Sequence, residues 1–313
     1  MSVLKNDGAY FSIKEVEDML EGAGYVATSQ IAYTIMIAMR TGMPILVEGA
    51  PGAGKTSLAQ AIAKALDKEL IRVQFYEGIT SSEILYEYDY PRQLLMMNAI
   101  KENIRDEISN LSAQEALNKV STDINFYGEE FLIERPLLRA INGEGQKVLL
   151  LDEIDKCTEE TENLLLEALS EFSISIPELG KTISCPKESR PLVMLTSNNY
   201  RELSDTLKRR CLYLYIPTQT PEEAAKIISL KANVPSKFAL RVANEVAEIR
   251  KLKLKQKPSI SESITWAASL ISAIGEDAFS PQYKKEIVYS LGILLKNQMD
   301  INTVKQNRYE GVI

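Results

Sequence analysis

The sequence predicts an α/β domain with a parallel sheet flanked by helices, followed by a smaller all-helical domain. Three observations carry that expectation. Short apolar runs alternate with segments of helical spacing up to about residue 218, the pattern of parallel strands joined by helices. The first apolar run ends in a glycine-rich turn that opens a helix-spaced segment. Beyond that boundary only helical patterns follow.

Residues 12–40 carry two helical patterns separated by Gly22-Ala23-Gly24-Tyr25. Pro44-Ile45-Leu46-Val47 is the first strand, an apolar run of the kind buried on both faces. After the turn, Leu58, Ala61, Ile62, Ala65 and Leu66 fall at i, i+3, i+4, i+7 and i+8, one apolar stripe of a helix. Leu70 to Phe75 is the second strand, with Ile71, Val73 and Phe75 alternating. A longer stretch then intervenes, read as a surface insertion at about 78–135 in which Asn98 to Val120 is polar and helix-compatible. Val148-Leu149-Leu150-Leu151 and Leu192 to Thr196 are the third and fourth strands. Between them, Leu165, Ala168, Leu169 and Phe172 keep helical spacing. Phe172, Ile174 and Ile176 then alternate, Pro177-Glu178-Leu179-Gly180 turns, and Ile183 and Cys185 alternate back, which predicts a β-hairpin at about 172–190. Thr220-Pro221-Glu222-Glu223 combines an N-cap, a helix-starting proline and a capping glutamate. Ser259 to Glu262 repeats the capping box, and Ser280-Pro281 opens a further helix. The expected division is 1–218 for the α/β domain and 219–313 for the helical one.

Composition narrows the chemistry. At 313 residues, 45% hydrophobic and 25% charged, the chain has ordinary globular composition and enough length for a large core and a second domain. It contains no histidine, which removes Ser-His-Asp triads, histidine-ligated zinc and histidine general bases. Cys157, Cys185 and Cys211 form no close pair, neither a disulfide framework nor a zinc pattern. A net charge of −7 argues against tight non-specific binding to nucleic-acid backbones. The run from Ile31 to Met39 is far shorter than the roughly 20 residues of a membrane span. A cytoplasmic protein without membrane partners is expected.

Gly49-Ala50-Pro51-Gly52-Ala53-Gly54-Lys55-Thr56, followed by Ser57, fits the phosphate-loop pattern between a strand and a helix. Its backbone N–H groups can curl around phosphate oxygens, Lys55 can reach the β- and γ-phosphates, and the Thr56 hydroxyl can ligate Mg²⁺. Asp152-Glu153 follows the third strand. Asp152 can hold Mg²⁺ there, and Glu153 can deprotonate a water for attack on the γ-phosphate of ATP. Asn198, at the end of the fourth strand, can hydrogen-bond the γ-phosphate or that water, or serve as a turn residue. Arg209 and Arg210 follow a helical stretch. Either could reach a neighbouring subunit's γ-phosphate, or complement a helix dipole.

Beyond GAPGAGKT and LLLDEIDK, the chain carries YDYPRQLL, EEFLIERPLL, SIPELG and TSNNYRELSDTLKRRCLYLYI in order. On these blocks, from about Gly24 to Leu270, it resembles the MoxR family of AAA+ ATPases, in particular its CoxD-like branch. The resemblance implies a P-loop NTPase core with a helical lid, in a hexameric ring with ATP between subunits. Thr56 and Asp152 would serve Mg²⁺, Glu153 would activate water and Asn198 would be the first sensor. Arg210 would be the finger acting in trans, with Arg209 as the alternative. The hairpin at 172–190 would be the pre-sensor hairpin, facing the pore or partner together with the insertion. The loop bearing Tyr25 would approach the adenine, unless that ring merely packs. Relatives in the family imply a von Willebrand factor A (VWA) domain partner and a client protein, often a metalloenzyme to be activated. The resemblance fails at one place: Ser259-Ile260-Ser261-Glu262-Ser263 lacks the arginine of a second sensor, leaving Arg241 or Arg250 as substitutes.

Other functions fit less well. A nucleic-acid motor or loader would need basic residues on the hairpin, which offers Lys181 and Lys187 against Glu171 and Glu178. A small-molecule kinase would waste ATP with Glu153 beside the γ-phosphate. A nucleotide-gated scaffold would bind without turnover.

Overall fold

The computed structural model describes residues 11–108 and 127–312. After helices α1 (Ile13–Gly22) and α2 (Ser29–Thr41) come strand β1 (Ile45–Gly49), helix α3 (Lys55–Ala65) and strand β2 (Leu70–Gln74). The insertion holds α4 (Ser81–Ile84), β3 (Tyr86–Tyr88), α5 (Tyr90–Ile108) and β4 (Leu132–Glu134). Then follow α6 (Pro136–Ile141), β5 (Val148–Asp152), α7 (Glu159–Glu171), β6 (Ser173–Ile176), β7 (Lys181–Ser184), β8 (Leu192–Ser197), α8 (Asp205–Lys208) and β9 (Leu212–Ile216). The remainder is helical: α9 (Pro221–Ala232), α10 (Ser236–Lys251), α11 (Ile260–Ala273), α12 (Lys284–Leu294) and α13 (Gln298–Arg308).

The expected α/β core is present as a parallel five-stranded sheet in the order β2-β5-β8-β1-β9. Its three central strands are buried at every position, as continuous apolar runs covered by helices on both faces require. Alternate residues feed two cores. Leu149, Leu151, Val193 and Leu195 pack with α6 and α7, while Val148, Leu150, Leu192 and Met194 pack with α1, α2 and α3. The C-terminal helices have a third core around Trp266, whose indole N–H donates to Ser290 Oγ at 2.7 Å.

The pairing adds what periodicity did not predict. The fifth strand, β9, pairs with β1 from Ile45↔Leu212 to Gly49↔Ile216. As an edge strand it leaves Tyr213 and Tyr215 exposed, so Leu-Tyr-Leu-Tyr-Ile presents no continuous apolar run. Within the insertion, β3 and β4 form a three-residue antiparallel pair, too short for alternation to register. The hairpin is formed as expected, β6 against β7 with Gly180 at φ +59° in the turn. It is tied to the insertion by Tyr86 Oη donating to Glu178 at 3.0 Å and by a Lys181–Glu129 ion pair at 2.6 Å. Of the polar stretch expected over 98–120, residues up to Ile108 continue α5, and the rest lies outside the described residues. Among the described residues no helix is long and apolar enough to cross a membrane.

Candidate functional site

Parallel sheets place ligands at the carboxyl ends of their strands, and the chemistry-bearing residues gather there. The turn after β1 reverses sharply through Gly52 (φ +75°) and Gly54 (φ +95°), the second capping α3. Both lie in the left-handed region where a side chain is strained. Lys55 opens α3 and is 6% exposed. Its ammonium donates to Gly49 O at 2.7 Å, Ala50 O at 3.0 Å and Asn198 Oδ1 at 2.6 Å. Burial lowers its pKa, against the opposing pull of Asp155, Asp152 and Glu153.

The tip of β5 faces that turn. Thr56 Oγ1 donates toward the Asp152 carboxylate, 3.1 Å from each oxygen. Asp152 is 1% exposed and also accepts from Thr196 Oγ1 at 2.5 Å and from Arg72 Nε at 3.0 Å. Glu153 holds φ +60°, a strained conformation for a residue with a side chain, and its N–H donates to Thr196 Oγ1 at 2.9 Å. The Glu153 carboxylate accepts from Asn198 Nδ2 at 3.1 Å, Gln74 Nε2 at 3.0 Å and Lys156 Nζ at 2.6 Å. Buried Asp155 fixes the loop after β8, accepting from the backbone N–H groups of Asn198 at 2.9 Å and Tyr200 at 2.8 Å.

Gly52, Gly54, Lys55, Thr56, Asp152, Glu153, Thr196 and Asn198 line a cavity of about 560 Å³ together with Pro51, Ala53, Ser57 and Tyr25, a volume suited to a small-molecule ligand. A Cβ at Gly54 would lie 3.8 Å from the Tyr25 ring and hydroxyl, and burial pushes the Tyr25 hydroxyl pKa up. Gly49 is needed for packing, since a Cβ there would meet Ile216 O at 2.5 Å. The C-terminal helices complete the wall with Lys226, Lys231, Ser261 and Ile264. Ser259 packs on the turn itself: a Cβ at Gly52 would fall 2.3 Å from the Ser259 Cβ. Thr56 and Asp152 offer hard oxygen donors side by side. That fits Mg²⁺, which takes one or two protein oxygens and completes its shell with water and phosphate.

Arg209 and Arg210 are exposed and do not line this cavity. Arg210 Nη1 donates to Leu166 O at 3.1 Å and to the Ser170 hydroxyl, at the end of α7. Neither substitute second sensor lines it either. Arg241 lies 5.7 Å over the Phe279 ring, and Arg250 Nε donates to Pro258 O at 2.8 Å, just before the Ser259 cap. Sequence reading missed Arg72, Gln74, Thr196, Asp155 and Lys156. The alternation of Ile71, Val73 and Phe75 carried the signal for Arg72 and Gln74, which must face the other way.

Residues 44–211 match the model of the AAA domain, dynein-related subfamily. Replication factor C subunit 3 of Arabidopsis thaliana is 24% identical over 213 residues, 64% of this chain and 52% of that protein. The peroxisomal Lon protease homolog 2 of Oryza sativa is 28% identical over 195 residues, 60% of this chain and 17% of that protein. The chain thus spans about half the length of the first relative and much less of the second. Among solved structures, a candidate ATPase from Cytophaga hutchinsonii aligns with a TM-score of 0.46 at 16% identity, over 93% of this chain and 84% of that one.

Proposed function

Because the chain belongs to the AAA domain family, dynein-related subfamily, we propose that it hydrolyses ATP with Mg²⁺ in an oligomeric ring and remodels a protein partner. The observation that carries this reading is the convergence of the Thr56–Asp152 pair, Glu153, Asn198 and Lys55 on one cavity. Backbone N–H groups of the glycine turn and the start of α3 would cradle the phosphates. The Lys55 ammonium would exchange carbonyl acceptors for phosphate oxygens. Thr56 and Asp152 would hold Mg²⁺, which supplies positive charge to the phosphate oxygens when bound. Glu153 would take the proton of the attacking water, and Asn198, already bonded to both Glu153 and Lys55, would orient that water against the γ-phosphate.

The ring, the trans-acting Arg210 and the division into a core and a mobile helical lid from residue 219 are part of the same proposal. A solvent-exposed Arg210, off its own cavity, suits a role at a neighbour's site. The MoxR-like, CoxD-like role with a VWA-domain partner and a client rests on the motif blocks quoted above. The nucleic-acid alternative is weakened by the Lys181–Glu129 pair, which neutralises the basic residue nearest the hairpin turn.

Glu153→Gln tests the assignment. It keeps the shape and removes the base, so ATP should stay bound while turnover falls by about 10²–10⁴-fold, the usual worth of a general base. Turnover equal to the unaltered protein in a steady-state phosphate-release assay would show that Glu153 is not the base.

A further inference from the structure

The carboxylate assigned to the metal already carries a cation. Arg72 donates to Asp152 Oδ2 from Nε at 3.0 Å and from Nη2 at 2.5 Å, and Nη2 also reaches the Gln74 side-chain oxygen. Gln74 in turn donates to Glu153, so the edge strand β2 touches both acids at the tip of β5. The placement follows from the strand pattern. Ile71 and Val73 are buried in the core, Arg72 and Gln74 take the opposite face, and Gln74 is registered against Asp152. The Asp152 side chain is 2% exposed and the Arg72 side chain 46%.

A buried carboxylate left without a counter-charge is strongly destabilising. Lys55 pulls on it through space but makes no bond to it, its ammonium donating to Gly49, Ala50 and Asn198. Arg72 bonds it directly. A metal ion bound by Thr56 and Asp152 would bring a second positive centre to the same carboxylate, and like charges at that range repel. Arg72 lies on an edge strand with half its side chain in solvent, so it can withdraw without opening the core.

We propose that Arg72 is a stand-in for the metal: it neutralises Asp152 while the nucleotide site is empty and yields the carboxylate when Mg·ATP binds. Breaking the Arg72–Asp152 pair thereby sets the Mg²⁺ concentration that the protein requires. The proposal rests on the Mg·ATP reading above. Arg72 is a positioning residue, acting through Asp152 and not on the phosphates.

The test compares the unaltered protein with Arg72→Met and Arg72→Lys, using a fluorescent ATP analogue without metal and then with Mg²⁺ titrated in, and thermal melting with and without Mg·ATP. In Arg72→Met the metal-free affinity should fall, since Asp152 then faces the phosphates without a counter-charge, and the Mg²⁺ midpoint should fall roughly fivefold, the worth of a half-exposed ion pair. The variant should melt lower than the unaltered protein when empty, and that gap should close in saturating Mg·ATP, where neither protein has the pair. Arg72→Lys keeps the charge but loses the planar fork, so its midpoint should lie between the two; it carries the test if Arg72→Met does not fold. An unchanged or higher midpoint, unchanged or tighter metal-free binding, or a melting gap that persists in Mg·ATP would overturn the proposal alone. An unaltered protein that binds no nucleotide with Mg²⁺ present would overturn the Mg·ATP reading as well.

Discussion

The Lys55 ammonium is buried against two backbone carbonyls and the Asn198 side chain, and burial holds its pKa below the ordinary lysine value of 10.5. The sign of the consequence differs for folding and for binding. A lysine whose pKa is lowered in the folded protein binds fewer protons there than in the unfolded chain. Its cost to stability is full below the folded pKa and is relieved as pH rises toward 10.5. Phosphate binding needs the charged form, so nucleotide affinity should fall over that same alkaline window. Nucleotide affinity titrated up to about pH 10 should therefore fall, whereas the melting temperature does not isolate Lys55, because burial raises the pKa values of Tyr25, Cys157 and Cys211 and their stability is lost over the same range. Affinity that stays flat over the range would show that Lys55 does not carry the phosphate charge. At this scale the sequence displayed Lys55, Thr56, Asp152 and Glu153 openly, because each is fixed by a contiguous pattern. Arg72 and Thr196 were hidden because they reach the acids from other strands. Asp155 was hidden because its task, anchoring two backbone N–H groups of the loop after β8, leaves no local signature.

Between elements, the contact of greatest consequence joins the turn after β1 to the start of α11. Ser259 accepts from Glu262 N at 3.4 Å and donates its own N–H to Glu262 Oε2 at 2.6 Å, and this capping box rests on Gly52. A side chain at Gly52 would be strained at φ +75° and would collide with Ser259. Gly52→Ala should cost about 1–3 kcal/mol of stability and abolish tight nucleotide binding. Adding Ser259→Gly should recover part of the stability, since the collision is removed and Gly is a tolerable cap. Melting temperatures of the single and double variants decide this, and a single variant that melts and binds like the unaltered protein would contradict it. Both capping boxes that the sequence announced, at Thr220 and Ser259, are formed. The three strands expected from continuous apolar runs, β1, β5 and β8, are present, since strands buried on both faces must be apolar throughout, and the edge strand β2 is present where alternation placed it. The half-exposed edge β9 and the three-residue pair β3–β4 escaped because neither leaves a run long enough to read.

For the whole molecule, the proposed ring makes Arg210 a residue whose effect is felt next door. Arg210→Ala should bind ATP normally and lose about 10³-fold or more in turnover, while also giving up its bonds to Leu166 and Ser170 within the chain. Mixing it with Glu153→Gln should restore activity, because mixed rings contain interfaces with one intact Glu153 and one intact Arg210. A mixture as inactive as its components would place Arg210 in its own subunit's helix packing only. The convergence of the glycine turn and the tip of β5 on a triphosphate and its metal is tested most directly by calorimetric titration of the purified protein with ATP, with and without Mg²⁺, beside Lys55→Ala. The expected result is Mg²⁺-dependent binding that Lys55→Ala weakens by at least about tenfold, the loss of a charge-assisted contact. Absence of binding in the unaltered protein, or equal binding by Lys55→Ala, would contradict it.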